Sequence, residues 1–415
     1  MVSEWVPSRS STRAWVTYDL ANTILFLGVV GFGFPNWMSD NGLPDSALSA
    51  VDVVVGVIVV FAAPWVGSRT DHLGRRLPTL LATTVLAVTA TMFLGSGPLW
   101  VSFVALGVGL IGLNVGSAVY DAMLPDVSTP ATRGRVSGVG VGVGYLGSFI
   151  GLGIGVLIRD VLGLGYAPLF MALGGAFLVF SIPTFLFVRE RPRPPTHGPP
   201  PGLSQSIGFL VASWRRASGY PHLVRFLGSR FLYTDALNTL LAGFLALYAQ
   251  NELGLSEASV KGVLLVAIAA AIPGGLAAGR LIERFGPLRV LQAALLVAMI
   301  GIGLAVLAGV ADQPELVWAV GPFGGAAIAA TWSADRVLMA RLSPPRHFGE
   351  FYGLYTTVGR FATILGPFAW ALVADILRLG RKAAMSVLIG FVLAGLIGLR
   401  RVEDREAVWA QEDLA

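Results

Sequence analysis

Five residues in otherwise apolar stretches carry the chemistry to ask about first: Asp19 and Asn22, Asp235 and Asn238, and Arg360. Placing an ionisable side chain at mid-bilayer costs about 2.5–3.5 kcal/mol on insertion scales, so such a group is a functional candidate by default. Asp19 and Asn22 are three apart and share a helical face, as do Asp235 and Asn238. A carboxylate there can exchange a proton or bind a cation, because burial and a nearby guanidinium pull its proton affinity in opposite directions. Arg360 falls roughly 18 Å into its stretch at about 1.5 Å per residue, and its guanidinium must find an anion, either a protein carboxylate or the substrate. Tyr18, Tyr145, Tyr233 and Trp332 add amphipathic surface around these groups, although aromatic residues in such stretches more often pack than bind.

The elements that position these groups follow from composition. Of 415 residues 55% are hydrophobic and 13% charged, well below the typical charged share of about 25% in soluble domains. The mean hydropathy is +0.73 and the chain is polytopic in a membrane. Apolar windows of about 20 residues each fall near 13–36, 46–66, 77–97, 99–123, 135–158 and 166–188, then near 225–250, 257–279, 287–310, 315–339, 348–376 and 382–399. That is six plus six.

A net charge of +5 does not imply nucleic acid, because the basic excess lies in alternate short loops. Arg75, Arg76, Arg133, Arg135, Arg189, Arg191 and Arg193 fall on one side, while Asp40, Asp45, Glu252, Glu257, Asp312 and Glu315 fall on the other. Both termini are therefore expected in the cytosol. No cleavable signal peptide is expected, since a short apolar core with a small-residue cleavage site is missing. Cysteine is absent, which excludes disulfides, thiolate metal sites and cysteine nucleophiles.

Two loops repeat a pattern. Gly67-Ser68-Arg69-Thr70-Asp71-His72-Leu73-Gly74-Arg75-Arg76 is answered by Gly279-Arg280-Leu281-Ile282-Glu283-Arg284-Phe285-Gly286. Each reads glycine, three residues, an acid, two residues, glycine. Asp19 and Asn22 are answered in the same way by Asp235 and Asn238, and Gly134, Gly138, Gly144 and Gly151 by Gly349, Gly353, Gly359 and Gly366. The expected fold is an all-α membrane protein with 12 transmembrane helices, duplicated in parallel as two six-helix bundles. The expected domains are 1–188, a linker at 189–222 with a helix on the cytosolic membrane face, 223–401, and a tail at 402–415.

The loop run resembles the signature between the second and third helices of the major facilitator superfamily. The resemblance implies that the first glycine lets two helices approach and that Asp71 and Glu283 each lie against a helix start, near Gly349 and Gly134, latching a cytosolic gate. Gly67, Gly74, Arg75 and Arg76 belong to that gate group, and Asp121, Asp335 and Arg336 are candidate gate partners. Within the superfamily, Tyr18-Asp19-Leu20-Ala21-Asn22, Tyr120-Asp121-Ala122-Met123-Leu124-Pro125-Asp126 and Phe351-Tyr352-Gly353 resemble the vacuole-effluxer-like branch, which includes autophagy-linked amino-acid effluxers. The fifth window has no proline between Val136 and Ile158, unlike many drug antiporters.

The resemblance implies a secondary transporter of a small, amino-acid-like solute, coupled to protons, working by alternating access in the plasma membrane as a monomer. It needs no cofactor and no metal. A cation-coupled sugar or glycoside symporter, supported by Asp19 and Asp52, is the first alternative; a non-transporting receptor or assembly factor is the second. An enzyme is not expected: His72, His197, His222 and His347 all lie in loops or linker, and neither a nucleophile elbow nor a phosphate loop is present.

Overall fold

The structure, a computed structural model, describes residues 5–193 and 206–404. Helices are the one regular element among them, and they form twelve rods. The first six are α1 (Arg9–Asp40), α2 (Asp45–Leu73), α3 (Leu77–Met92), α4 (Leu99–Ala122), α5 (Arg133–Val161) and α6 (Tyr166–Phe187). The second six are α7 (Pro221–Thr239, running on to Asn251), α8 (Glu257–Phe285), α9 (Pro287–Val310), α10 (Val317–Leu342), α11 (Phe348–Phe361, resuming at Leu365–Ala371 and running on to Ile376) and α12 (Gly380–Leu399). Ten of these segments are long and apolar enough to cross a membrane; α3 is apolar but shorter, and α7 carries Arg230 and Asp235.

Local sequence explains where the rods stop. Ser8 and Ser256 cap α1 and α8 by accepting the amides of Ser11 and Ser259 at 3.2 Å. α2 ends at Gly74, whose φ of +66° suits a residue without a side chain. Val53, Val54, Val57 and Ile58 on α2, like Leu296, Ile300 and Leu307 on α9, are exposed apolar side chains, as expected of faces turned to lipid.

The rods pack as two units. In the first, α1 lies on α5 and α6, α4 on α2 and α3, and α3 on α6. Gly147 makes the α1 contact possible, since a methyl there would sit 2.3 Å from the Leu20 carbonyl oxygen. In the second, α10 packs on α8 and α9, and α12 on α7 and α9. The division does not fall wholly in the linker, because Ser343–Thr357 clusters with the first unit.

The duplication shows in detail. Wide π-type turns occur at Phe26–Gly33 in α1 and Leu240–Phe244 in α7, and again at Val156–Val161 in α5 and Leu372–Ile376 in α11. One copy departs from the other. α5 is continuous, whereas α11 ends at Phe361, turns through 362–364 and resumes at Leu365–Ala371. Pro367 accounts for the break: its ring clashes with the carbonyl four residues back, that of Thr363. A helix also joins the units at Ser206–Ser218, with Val211, Trp214 and Arg215 exposed and Ser213 and Ala217 buried. The linker residues 194–205, among them Pro194, Pro199–Pro201 and Leu203, lie outside the described residues.

Candidate functional site

In the first unit the signature loop builds a closed network of charges. Helix α2 and the start of α11 meet backbone to backbone: a methyl on Gly67 would fall 2.0 Å from the Gly349 carbonyl oxygen, and one on Gly353 would fall 2.4 Å from the Pro64 Cα. That approach brings the Asp71 carboxylate to the amides of Gly349 and Glu350, both at 2.9 Å. These amides are unpaired donors at a helix start, so a carboxylate satisfies them and the local dipole together.

Behind Asp71, Arg76 donates to it at 2.7 Å and lies 3.5 Å from Asp126. Arg76 is 1% exposed and Asp126 0%. Burial works against the Arg76 charge, but Asp71 and Asp126 outweigh it and push its pKa up. Arg193 completes the run by pairing with Asp126 on its other side. Burial first, and then the Arg76 charge, lower the Arg193 pKa. The order Arg193, Asp126, Arg76, Asp71 alternates in sign up to the start of α11.

Glu190 pins the same place, its carboxylate accepting the amide of Arg76 where α3 begins. Burial raises the Glu190 pKa, the neighbouring Asp126 adds to it, and the amides of Arg76 and Leu77 and the Arg76 charge work the other way. A carboxyl raised above its unfolded value supports the fold fully below the unfolded carboxylate range and loses that support as pH rises through the raised value. Glu190→Gln keeps an oxygen acceptor and removes the titration. The variant is expected to show a flatter rise in melting temperature from neutral to mildly acidic pH than the parent; equal slopes would clear Glu190 of the effect.

The second unit repeats this pin. Asp404 follows α12 as Glu190 follows α6, faces the Leu288 amide at the start of α9 at 3.4 Å and pairs with Arg341 at 2.7 Å. Asp126 and Arg341 thus hold matching positions with opposite charge.

The interior groups separate into packed and unmatched. Tyr18 is buried, its hydroxyl bonded to Thr84 at 2.6 Å and its ring stacked on Tyr120, so it ties α1 to α3 and α4. Tyr233 donates to Asp335, whose other oxygen takes the Arg230 Nε at 3.2 Å, all three being buried. Both tyrosines are thus buried and brace neighbouring helices. Asp335 braces α7 against α10.

Asp19 is half-buried beside Gly144, and the Oδ1 of Asn22 is buried without a hydrogen-bond partner. Asp235 is 0% exposed and neither carboxylate oxygen has a partner. Asn238 donates to the Ala362 carbonyl at 3.0 Å, at the break in α11. Arg360 stands half-buried in the last turn before that break. Trp332, Tyr145, Asp121 and Glu283 are half-buried, Arg336 is buried, and Arg75 is exposed. Among the described residues no group of three metal-ligating side chains comes together.

Arg230, Asp126, Glu190 and Arg193 were missing from the sequence-based site. Asp126 lies inside a quoted stretch, and Arg230 stands three and five residues before Tyr233 and Asp235, a spacing that marks it in retrospect.

A duplicated helical bundle with apolar outer faces, buried charges and a loop closed on a helix start defines a polytopic carrier. The chain belongs to the Major Facilitator Superfamily, whose profile matches residues 20–367. It is a multi-pass membrane transporter of the secondary class. It is 25% identical over 406 residues to the uncharacterized MFS-type transporter YxiO of Bacillus subtilis, covering 93% of both chains. Autophagy-related protein 22-1 of Penicillium rubens is 28% identical over 273 residues, which is 58% of this chain and 44% of the fungal protein. The fold is shared with the human organic anion transporter MFSD10 at a TM-score of 0.77 and 18% identity, covering 95% of this chain and 100% of that one. A bacterial homologue of the iron transporter ferroportin in its outward-facing state follows at 0.74 and 16%, covering 96% and 100%.

Proposed function

We propose that the protein moves a small amino-acid-like solute across the plasma membrane by alternating access, coupled to protons, with both termini in the cytosol. The observation that carries this reading is the pair of repeat-related polar faces. Asp19 with Asn22 and Asp235 with Asn238 hold buried polar atoms that the protein leaves unmatched: the Asn22 oxygen and the Asp235 carboxylate. Buried polar groups are nearly always bonded, so such atoms are where a ligand's donors belong. Within the second unit Arg360 supplies the charge opposite to that of Asp235, which suits a zwitterion with one group of each sign. The amino-acid class also draws support from the resemblance of Tyr18–Asn22 and Tyr120–Asp126 to the vacuole-effluxer-like branch. Asp71 on the start of α11 serves as the cytosolic latch, released once per cycle.

Reconstitution in liposomes with a panel of labelled amino acids and an imposed pH gradient tests this. Uptake stimulated by an inward proton gradient is expected; sodium-stimulated sugar uptake would replace the reading, and no flux for any solute would reject it. Arg360→Ala is expected to weaken apparent affinity by about 30-fold or more, since truncating one side of a buried charge pair costs about 2–5 kcal/mol. Unchanged uptake kinetics in that variant would remove Arg360 from the site.

A further inference from the structure

The break in α11 and the unmatched carboxylate of α7 face each other. Asp235 looks onto the main-chain N–H groups of Ile364, Leu365 and Gly366 without reaching hydrogen-bond geometry. The fit is close, because a methyl on Gly366 would stand 3.0 Å from Asp235 Oδ2 and 2.0 Å from Thr239 Oγ1. Asn238, one turn along α7, already holds the Ala362 carbonyl on the other side of the turn. One helix therefore addresses both edges of the break.

Charges nearby do not neutralise Asp235. On its own helix Arg230 is committed to Asp335. α10 carries Asp335, Arg336 and Arg341, α12 carries Arg381 and Lys382 at its first turn, and the resumed part of α11 carries no ionisable group through Ala371. Arg360 precedes the break, and none of these cations pairs with Asp235 among the described residues. An ion buried without a partner costs several kcal/mol. Two ways out exist: to take up a proton, or to draw the three amides into bonds and so clamp the resumed segment onto α7.

We propose that Asp235 is the binding site of the coupling proton and that its ionisation sets the geometry of the break at residues 362–364. Ionised, the carboxylate holds the amides of Ile364, Leu365 and Gly366. Protonated, its hold weakens and the turn loosens. The proton arrives from water and leaves to water, so no other reactant is required. The inference rests on the transporter reading for its purpose, but its test does not.

Hydrogen exchange of the purified full-length protein, followed by mass spectrometry at several pH values and corrected for intrinsic chemistry, reads the amides of residues 362–366 directly. In the parent, exchange is expected to be about tenfold or more faster in the acid-loaded protein, the size of losing a hydrogen bond to a charged group. Asp235→Asn, which keeps the shape, is expected to exchange fast at every pH, while Asp235→Glu keeps a pH response. Equal protection at all pH values in the parent, or a parent-like response in Asp235→Asn, would overturn the proposal. The parent arm decides even if a variant misfolds. Failure of the transporter reading shows separately, as absence of flux by the parent protein.

Discussion

Arg76→Ala is expected to unfold markedly below the parent. The side chain is fully enclosed between Asp71 and Asp126, and its loss leaves Asp71 with only the amides of Gly349 and Glu350 and Asp126 with only Arg193 and the Arg191 amide. Breaking a buried ion pair from one side costs about 3–5 kcal/mol, and denaturant or thermal unfolding in detergent reads it. The loss is not additive: combining Arg76→Ala with Asp126→Asn is expected to cost less than the separate losses, because the second change removes a charge the first had orphaned. A parent-like midpoint for Arg76→Ala would mean that the network contributes nothing to the fold. The neighbouring Arg75 is exposed and makes the natural control.

Asp71→Asn tests the latch rather than the fold. The substituted amide still offers one oxygen to Gly349 or Glu350 but loses the charge that makes both bonds strong. Bonds to a charged acceptor are worth about 1.5–3 kcal/mol each, so losing one shifts the population open to the cytosol by about 10- to 150-fold. The absence of cysteine makes the measurement clean. A single cysteine at Thr357, fully buried on α11 with its hydroxyl on the Val60 carbonyl at 3.1 Å, is expected to react with a cytosolic thiol reagent faster by that factor in the Asp71→Asn background. Unchanged labelling would reject the latch.

How much of this was legible in the residues depends on how far apart the cooperating groups lie. The Gly67 to Gly74 run could be read because close backbone approach and positive φ leave a glycine signature at fixed offsets. Sequence could not say which of Arg75 and Arg76 turns inward, since that follows from the direction of one residue past a helix end. Nor could it bring Glu190 and Arg193 to Asp126 across more than 60 positions. The repeated Asp-x-x-Asn faces were visible through periodicity, but the hydrogen bonds by which the tyrosines beside them brace helices, Tyr18 to Thr84 and Tyr233 to Asp335, were not. The interruption of α11 sits at 362–364, before Pro367, because proline acts on the carbonyl of the preceding turn.

The two copies of the repeat treat one element differently. α5 is a single stiff rod cemented to α1 through Gly147, whereas its counterpart α11 is jointed in the middle. A rod hands on rotation undiminished, and a joint soaks it up. The asymmetry of the duplicated chain is therefore concentrated in one element, unbroken in the first copy and jointed in the second.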